Sequence, residues 1–318
     1  MKSLLVAAVL LATNFICSVS LAQTNTQPAQ TALTLADPTI FLWQGKYYAY
    51  GTNSNEGIPA YTSTDLIHWK AIETNNGLAL KKGDAFGTKG FWAPQVFNYK
   101  GKFYMAYVAN ENIAIATSEQ PYGPFTQTVK ESLPAPVRQI DPFIFIDDDG
   151  KKYLYHVRLT NGNRIFGALL KDDFSGIDTT TLQECISATE PWENTENAKW
   201  PVTEGPTVIK SNGKYYMFYS ANDFRNPDYA VGMAVSDHPL GPWVKYQGNP
   251  VLSRKQTGFK GTGHGDLFKS ADGKWHYVFH IHNSDTQVGP RKTMLIDVTN
   301  KNGKFSFDIK TMKALVVE

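Results

Sequence analysis

Cysteine is nearly absent: Cys17 and Cys185 are the only two in 318 residues. A covalently stapled scaffold is therefore excluded, because small domains held by disulfides need several paired cysteines. Charge of one sign is lacking as well. With 31 Lys and Arg against 29 Asp and Glu the formal net charge is +2, and no basic block or basic helix stands out. Nucleic acid and an anionic membrane surface thus lack the electrostatic footprint they require, and neither is expected as a partner. Beyond the N-terminus no stretch approaches the roughly 20 apolar residues that cross a bilayer as a helix. A sustained 3.6-residue apolar period is missing too, so helices are not expected to build the core. What is present is apolar and aromatic material, 42% and 13% of the chain, enough to fill a sizeable core. A neutral ligand suits such a chain better than a polyanion, and no protein partner is expected.

The N-terminus runs from Lys2 through an apolar stretch, Leu4 to Ile16, to Ser20-Leu21-Ala22 before a polar Gln23-Thr24-Asn25-Thr26. That order is the order of a secretory signal over 1–22, cut after Ala22, and it predicts a secreted or periplasmic protein. A lipoprotein anchored at Cys17 is the rival reading, but Asn14 and Ile16 stand where small residues would be expected. Removal of the signal leaves Cys185 unpaired. Residues 23–34, rich in Thr, Gln and Ala, read as a flexible leader, and a single domain is expected over 35–318.

One phrase returns five times: Gly45-Lys46-Tyr47-Tyr48, Gly101-Lys102-Phe103-Tyr104, Gly150-Lys151-Lys152-Tyr153, Gly213-Lys214-Tyr215-Tyr216 and Gly273-Lys274-Trp275-His276. Each is a Gly-Lys turn between two apolar, aromatic-rich runs, recurring at intervals of about 50 to 60 residues, which is the signature of small antiparallel sheets in a radial array. An all-β, five-bladed β-propeller follows as the expected fold. The passages around Pro121-Tyr122-Gly123-Pro124-Phe125 and Pro239-Leu240-Gly241-Pro242-Trp243 are near copies, so the repeat reaches the outer strands.

Aligned on the Gly-Lys turns, five motifs fall at the start of each blade's first strand: Ala36-Asp37-Pro38-Thr39, Trp92-Ala93-Pro94-Gln95, Ile140-Asp141-Pro142-Phe143, Glu204-Gly205-Pro206-Thr207 and His264-Gly265-Asp266-Leu267. First strands line the axis of a propeller, so matching positions converge at one end of the channel. Proline suits that address because it has no N–H to offer a ladder. Asp37, Asp141 and Glu204 are expected to meet there. Singly, each acid reads as an ordinary turn residue; turn chemistry does not predict the coincidence of all three. Converging, partly buried acids repel one another, so one stays protonated near neutral pH while another is ionised. Splitting a glycosidic bond needs that pair: an acid for the leaving oxygen and a base for water on the opposite face. The longer side chain of Glu204 suits the acid and an aspartate suits the base.

These motifs, with Gly263-His264-Gly265, resemble glycoside hydrolase family 43 from Leu35 to about Val298. The resemblance implies an inverting mechanism with Asp37 as general base, Glu204 as general acid and Asp141 as the residue that raises the acid's pKa and orients it. It places Trp92 against the sugar and Arg291 on a substrate hydroxyl. It sets His264 on the axis near a hydrated calcium or sodium ion, with no cofactor required for the chemistry; a hydrogen-bonded core histidine is the alternative for His264. Phe91 stands where many members have histidine, and the long aromatic connection through Trp192 and Trp200 is not a general family feature. Phe91, Trp192, Asn222 and Arg225 are further expected substrate contacts. His280 and His282 alternate on one strand face, but a zinc site would need a third ligand that the pattern does not supply.

The function expected from this is release of a terminal furanose or pentose unit, above all α-L-arabinofuranose, from a plant polysaccharide or oligosaccharide. A β-xylosidase or β-galactofuranosidase would use the same acids, because hydroxyl contacts choose the sugar. A carbohydrate-binding propeller without catalysis would have lost one of the three acids, and a retaining fructosidase would show Asn in place of Ala36.

Overall fold

The computed structural model describes residues 31–318. The expected signal segment, with Cys17, and the first part of the leader lie outside them. Among the described residues regular structure is almost entirely strand, and the one α-helix is the single turn Arg254–Thr257. Five sheets succeed one another in chain order, and the first strand of each packs beside those of the next and the previous sheet until the ring closes. This is a propeller arrangement.

Three sheets have four strands in simple meander order: Gln139–Ile146 with Lys152–Leu159, Asn163–Leu170 and Gln183–Ile186; Thr203–Ser211 with Lys214–Ala221, Ala230–Ser236 and Val244–Lys245; Gly263–Lys269 with Trp275–Ile281, Lys292–Lys301 and Lys304–Ala314. The first sheet is larger, seven strands built around Ala36–Trp43, Lys46–Thr52, Gly57–Ser63 and His68–Ala71. The second, Trp92–Tyr99, Lys102–Ala109 and Asn112–Ser118, stops at three strands. Four complete blades are therefore present where five equal ones were expected. After Ser118 the chain passes through Pro121 and Pro124, which cannot donate to a ladder, and a lone bridge between Thr117 and Thr126 stands in for the missing strand.

The repeated Gly-Lys turns are the first hairpins of the sheets. Gln44-Gly45, Lys100-Gly101 and Asn212-Gly213 are two-residue turns with both φ angles positive, the form whose twist matches the flanking strands. The expected flexible leader is corrected over its described part. Thr31–Ala32 is a strand that pairs with Val316–Val317, which in turn runs parallel to His68–Ala71. Leu33 is fully buried and exchanges backbone hydrogen bonds with Thr293 and Leu315. Residues 31–33 and 315–317 thus tie the first sheet to the fifth, and the polar sequence before Leu35 concealed it because only Leu33 carries the apolar signal.

Aromatic side chains fill the space between sheets. Tyr50, Tyr107, Tyr155, Tyr219, Tyr277 and Phe279, all on second strands, are fully buried, each contributing on the order of 1.5–3 kcal/mol by burial. Tyr50 and Tyr155 donate to the carbonyls of Pro121 and Pro239, one in each of the two near-identical passages.

Every first strand carries the same irregularity. The ladder slips between Ala36 and Thr39, Trp92 and Gln95, Ile140 and Phe143, Glu204 and Thr207, and Gly263 and Asp266. Inside these five bulges Asp37, Ala93, Asp141, Gly205 and His264 take left-handed φ angles of 49°, 42°, 54°, 59° and 38°. A bulge leaves its extra residue unpaired and re-aims the side chain. Four of the freed N–H groups are taken up by side chains from the preceding sheet in the ring: Asp37 by His280, Ala93 by Thr52, Gly205 by Asp141, and His264 by Ser220. Sheet-to-sheet bonding is thereby concentrated at the axis.

This geometry corrects the alignment in two places. The fifth motif is Gly263-His264-Gly265-Asp266, one residue earlier than its turn-based placement, so that His264 matches Asp37 and Asp266 matches Thr39 and Thr207. Glu204 does not share the address of the aspartates. It precedes the left-handed residue, as Trp92 does in the second sheet, and its longer side chain covers the added distance.

Candidate active site

Below the bulges the five first strands enclose an axial channel to which each gives three consecutive residues, with a cavity of about 30 Å³. Asp266 sits at its waist and accepts from the hydroxyls of Thr39 and Thr207, both at 2.6 Å; burial raises its pKa against those two hydrogen bonds. Gln95 bonds Ile144 N–H and C=O at 2.6 and 3.1 Å. The channel is too narrow for a sugar. Above it the mouth widens into a hollow of about 270 Å³ lined by Asp37, Thr52, Trp92, Ile140, Asp141, Asn163, Glu204, Asp223, Phe224, His264 and Arg291. That volume lies at the small end for ligand pockets and holds one sugar ring rather than a chain.

The three acids meet here as expected, all buried, in unlike surroundings. Asp37 receives Arg291 Nη1 on Oδ1 at 2.9 Å and Thr52 Oγ1 on Oδ2 at 2.7 Å. His264 Nδ1 lies 3.4 Å from the same Oδ1. Burial opposes its ionisation, but Arg291, His264, His280 and the Thr52 hydroxyl together outweigh it and hold Asp37 well below the usual carboxylate range. Asp37 is a carboxylate at every ordinary pH.

Among the described residues no Lys, Arg or His forms an ion pair with Glu204, and Arg225 acts on it only through a weaker charge interaction. Tyr229 donates to Oε1 at 2.8 Å and Asn163 Nδ2 to Oε2 at 3.0 Å. Burial, reinforced by the charges of Asp37 and Asp223, overcomes both hydrogen bonds and pushes the pKa up to about 7. Asp141 is raised well above its ordinary value, first by burial and then by Glu204 and Asp37. Its Oδ2 accepts from Gly205 N–H at 3.1 Å, so it is tied to the residue next to Glu204. The site thus pairs a permanent base with an acid that keeps a proton near neutrality, which is the division of labour acid–base chemistry requires.

Arg291 reaches Asp37 across the hollow, lies 3.2 Å from His280 Nε2, and stacks its guanidinium 4.6 Å over the Phe224 ring. Trp92 lines the hollow with 36% of its surface exposed. His264 stands between Asp37 and Asp141, 3.8 Å from the latter, and burial keeps its pKa low. Among the described residues no three or more His, Cys, Asp or Glu are arranged to hold a metal, and calcium asks for six to eight oxygens, whereas Asp266 is spent on two threonines. These side chains alone do not fit a directly bound ion, and the hydrated ion implied near His264 would have to be held through water.

Three expected contacts are corrected, and a fourth, Arg225, lies beside the hollow rather than in it. Phe91 is fully buried in the hydrophobic cluster of the first two sheets, stacked on Tyr107 at 6.4 Å. Trp192 packs on Tyr219 and donates to Glu190; it is a brace for its own loop. Asn222 is buried and binds Trp192 O, Asp228 O and Thr195, pinning that loop to the fourth sheet. Arg225 pairs with Asp223 and lines a neighbouring trough, outside the hollow. His280 and His282 do not form a metal pair: His282 Nε2 lies on Phe224 O, while Tyr229 stacks on His280 at 5.7 Å. Conversely, Thr52, Asn163, Phe224 and Tyr229 carry no motif. Their only sequence signal is position at the end of a second strand, in a hairpin, or just past a strand.

An all-β ring that presents one ionised and one protonated carboxyl across a sugar-sized hollow is the form of a glycosidic-bond hydrolase. The sequence profile of glycosyl hydrolases family 43 matches residues 30–305, and the chain belongs to that family. A xylosidase/arabinosidase 43A of Humicola insolens is 28% identical over 282 residues, 71% of this chain and 83% of that protein. A non-reducing end alpha-L-arabinofuranosidase of Bacteroides ovatus is 29% identical over 90% of this chain and 54% of its own length. The chain spans about half the length of several curated relatives, 47% for a xylan 1,3-beta-xylosidase of Vibrio. Among solved structures, one described as an endo-1,4-beta-xylanase from Bacteroides thetaiotaomicron superposes with TM-score 0.85 at 43% identity, covering 91% of this chain and 99% of that one.

Proposed function

We propose that the protein releases a single terminal furanose or pentose unit, α-L-arabinofuranose first among them, by one displacement with inversion, on a scaffold whose three-stranded second sheet serves as a fifth blade. The observation that carries this is the hollow itself: about 270 Å³, with Asp37 and Glu204 at opposite states of protonation on its walls. Water held by Asp37 attacks the anomeric carbon and passes a proton to that carboxylate. Glu204 gives its proton to the departing glycosidic oxygen, and the C–O bond breaks with the electron pair leaving on that oxygen. Asp141 holds Gly205 and raises the affinity of Glu204 for its proton. Trp92 and Arg291 bear on the sugar. Export, with cleavage after Ala22, is part of the same proposal.

The names of the relatives favour pentose chemistry and divide between arabinose and xylose. A second reading, attack within a xylan chain, draws on the endo-1,4-beta-xylanase structure at 43% identity and on the troughs that adjoin the hollow at Trp92 and Asp223. The test is a panel of nitrophenyl glycosides, α-L-arabinofuranoside, β-D-xylopyranoside and β-D-galactofuranoside, beside xylan and arabinan, with product anomers followed by NMR. Turnover of the arabinofuranoside with an inverted first product supports the proposal. Cleavage of xylan with no aryl glycoside turned over replaces it by the second reading, and a retained anomer sinks the single displacement.

A further inference from the structure

Beside the hollow, sharing Asp223 with it, lies an open trough of about 640 Å³ walled by Glu196, Ala198, Trp200, Asp223, Arg225 and Asn226. Trp200 projects from the long connection between Ile186 and Thr203 with 49% of its surface exposed. An exposed indole on a loop is ordinarily unconstrained, yet this one donates Nε1–H to Asn163 Oδ1 at 2.9 Å. An indole nitrogen can only donate. Asn163 must therefore turn its oxygen to Trp200 and its NH2 the other way, to Glu204 Oε2 at 3.0 Å. The backbone of Asn163 is held as well, its N–H on Pro201 O and its carbonyl accepting from Thr203 Oγ1. One surface tryptophan thus fixes the amide that touches the acid.

We propose that this trough binds the neutral sugar on the leaving-group side of the scissile bond, and that Trp200 is both its stacking platform and the clamp that keeps Asn163 directed at Glu204. The inference rests on Glu204 being the general acid. A proton donor must face the departing oxygen, so the leaving sugar extends from Glu204's side of the hollow, where the trough opens. A broad apolar indole beside polar groups that orient hydroxyls is the usual make-up of such a site. Arg225 is held by Asp223 at 2.6 and 2.7 Å, leaving no unpaired cation there to demand an anionic sugar. Asn163 and Trp200 are positioning residues for the acid.

The test compares wild type with Trp200→Ala and Trp200→Phe on a nitrophenyl glycoside and on an oligosaccharide of the same terminal sugar. For Trp200→Ala the ratio of kcat/KM on oligosaccharide to that on aryl glycoside should fall by about tenfold or more, chiefly through KM. Trp200→Phe keeps a stacking face and should largely keep KM. It loses the N–H that orients Asn163, a donor that favours the ionised form of Glu204, so the alkaline limb of the pH profile should move upward. An unchanged ratio in a Trp200→Ala protein that melts with wild type overturns the proposal. Should wild type turn over no glycoside, the proposed function fails separately, and the trough is judged by binding. Neutral xylo- and arabino-oligosaccharides titrated into Glu204→Gln should then alter tryptophan emission, and the same signal from Glu204→Gln carrying Trp200→Phe would overturn the assignment.

Discussion

Asp141 lies near the start of the strand Gln139–Ile146 and Asp147 directly after its end, and both are buried. They differ in company. Asp147, at the outer end, receives Lys210 Nζ at 2.6 Å and the Tyr215 hydroxyl at 2.5 Å, and these partners overcome burial and lower its pKa. Asp141 has one backbone N–H, two neighbouring acids and, at 3.8 Å, a histidine that burial disfavours charging; burial and the acids outweigh the pull of Arg291, and its pKa rises well above normal. Burial acts on both; what decides the sign is whether the fold supplies a cation. At the outer end it supplies one, as a structural carboxylate requires. At the axis the one strong cation, Arg291, is spent on Asp37, and the repulsion that remains keeps a proton on the Asp141–Glu204 pair. The protein thus stores unfavourable electrostatics where chemistry needs it.

The largest effects should come from erasing that contrast within the axial group. Glu204→Ala and Asp37→Ala are each expected to lower kcat by on the order of 10²–10⁴ with circular dichroism unchanged, whereas Asp147→Ala should leave kcat within a few-fold and lower Tm instead. The pH profile of kcat/KM should lose activity as pH rises through about 7, where Glu204 gives up its proton. No acid limb from Asp37 should appear within the range where the fold survives, because its pKa is held far down. Wild-type activity in either catalytic variant removes that residue from the mechanism.

Stability should respond with opposite signs at the two ends. Glu204 and Asp141 have raised pKa values in the folded state, so at neutral pH the fold retains protons that the unfolded chain releases. Their contribution is therefore a penalty that grows as pH climbs from the ordinary carboxylate range through about 7. Glu204→Gln and Asp141→Asn should accordingly raise Tm at pH 7, by roughly 1–3 °C, with the gain vanishing near pH 4. Asp147 has a lowered value, so its contribution is present above the usual carboxylate range and lost as pH falls through its depressed pKa. Asp147→Asn should lower Tm at pH 7 and matter less in acid. Shifts of the same sign at both ends would remove the distinction.

Much of this contrast was legible in the sequence, and the part that was not has a physical cause. Gly-Lys turns mark hairpins because two-residue turns demand left-handed residues, and the recurring hairpins placed Asp37, Asp141 and Glu204 at one mouth. The one-residue displacement of the fifth motif was hidden because Gly263-His264-Gly265-Asp266 lacks the proline that marks the other four. Phe91 stands next to Trp92 but just before the strand Trp92–Tyr99, and its ring turns into the apolar cluster of the first two sheets, a direction that no spacing in the sequence encodes. Thr52, Asp141, Ser220 and His280 repeat one task, taking up a freed N–H of the following sheet, with four residue types, so none recurs for the eye to find. Asn163 and Trp200 meet through a single amide orientation that no residue spacing encodes.

The finest test of how the axis separates its acids falls on Thr52. Its hydroxyl donates to Asp37 Oδ2 at 2.7 Å and accepts Ala93 N–H at 3.0 Å, so one small group both lowers the base's pKa and anchors the next bulge. Thr52→Val keeps the volume but removes both bonds, leaving a largely buried N–H unpaired. Arg291 and the two histidines remain, so Asp37 should stay ionised and the loss in kcat/KM should be modest, about three- to tenfold, consistent with a net hydrogen bond near 1 kcal/mol. Thr52→Ser restores the hydroxyl without the methyl group and should recover most of that loss. If serine does not rescue activity, packing of the methyl group governs the position, and the hydroxyl's part in setting Asp37 apart from Asp141 and Glu204 is refuted.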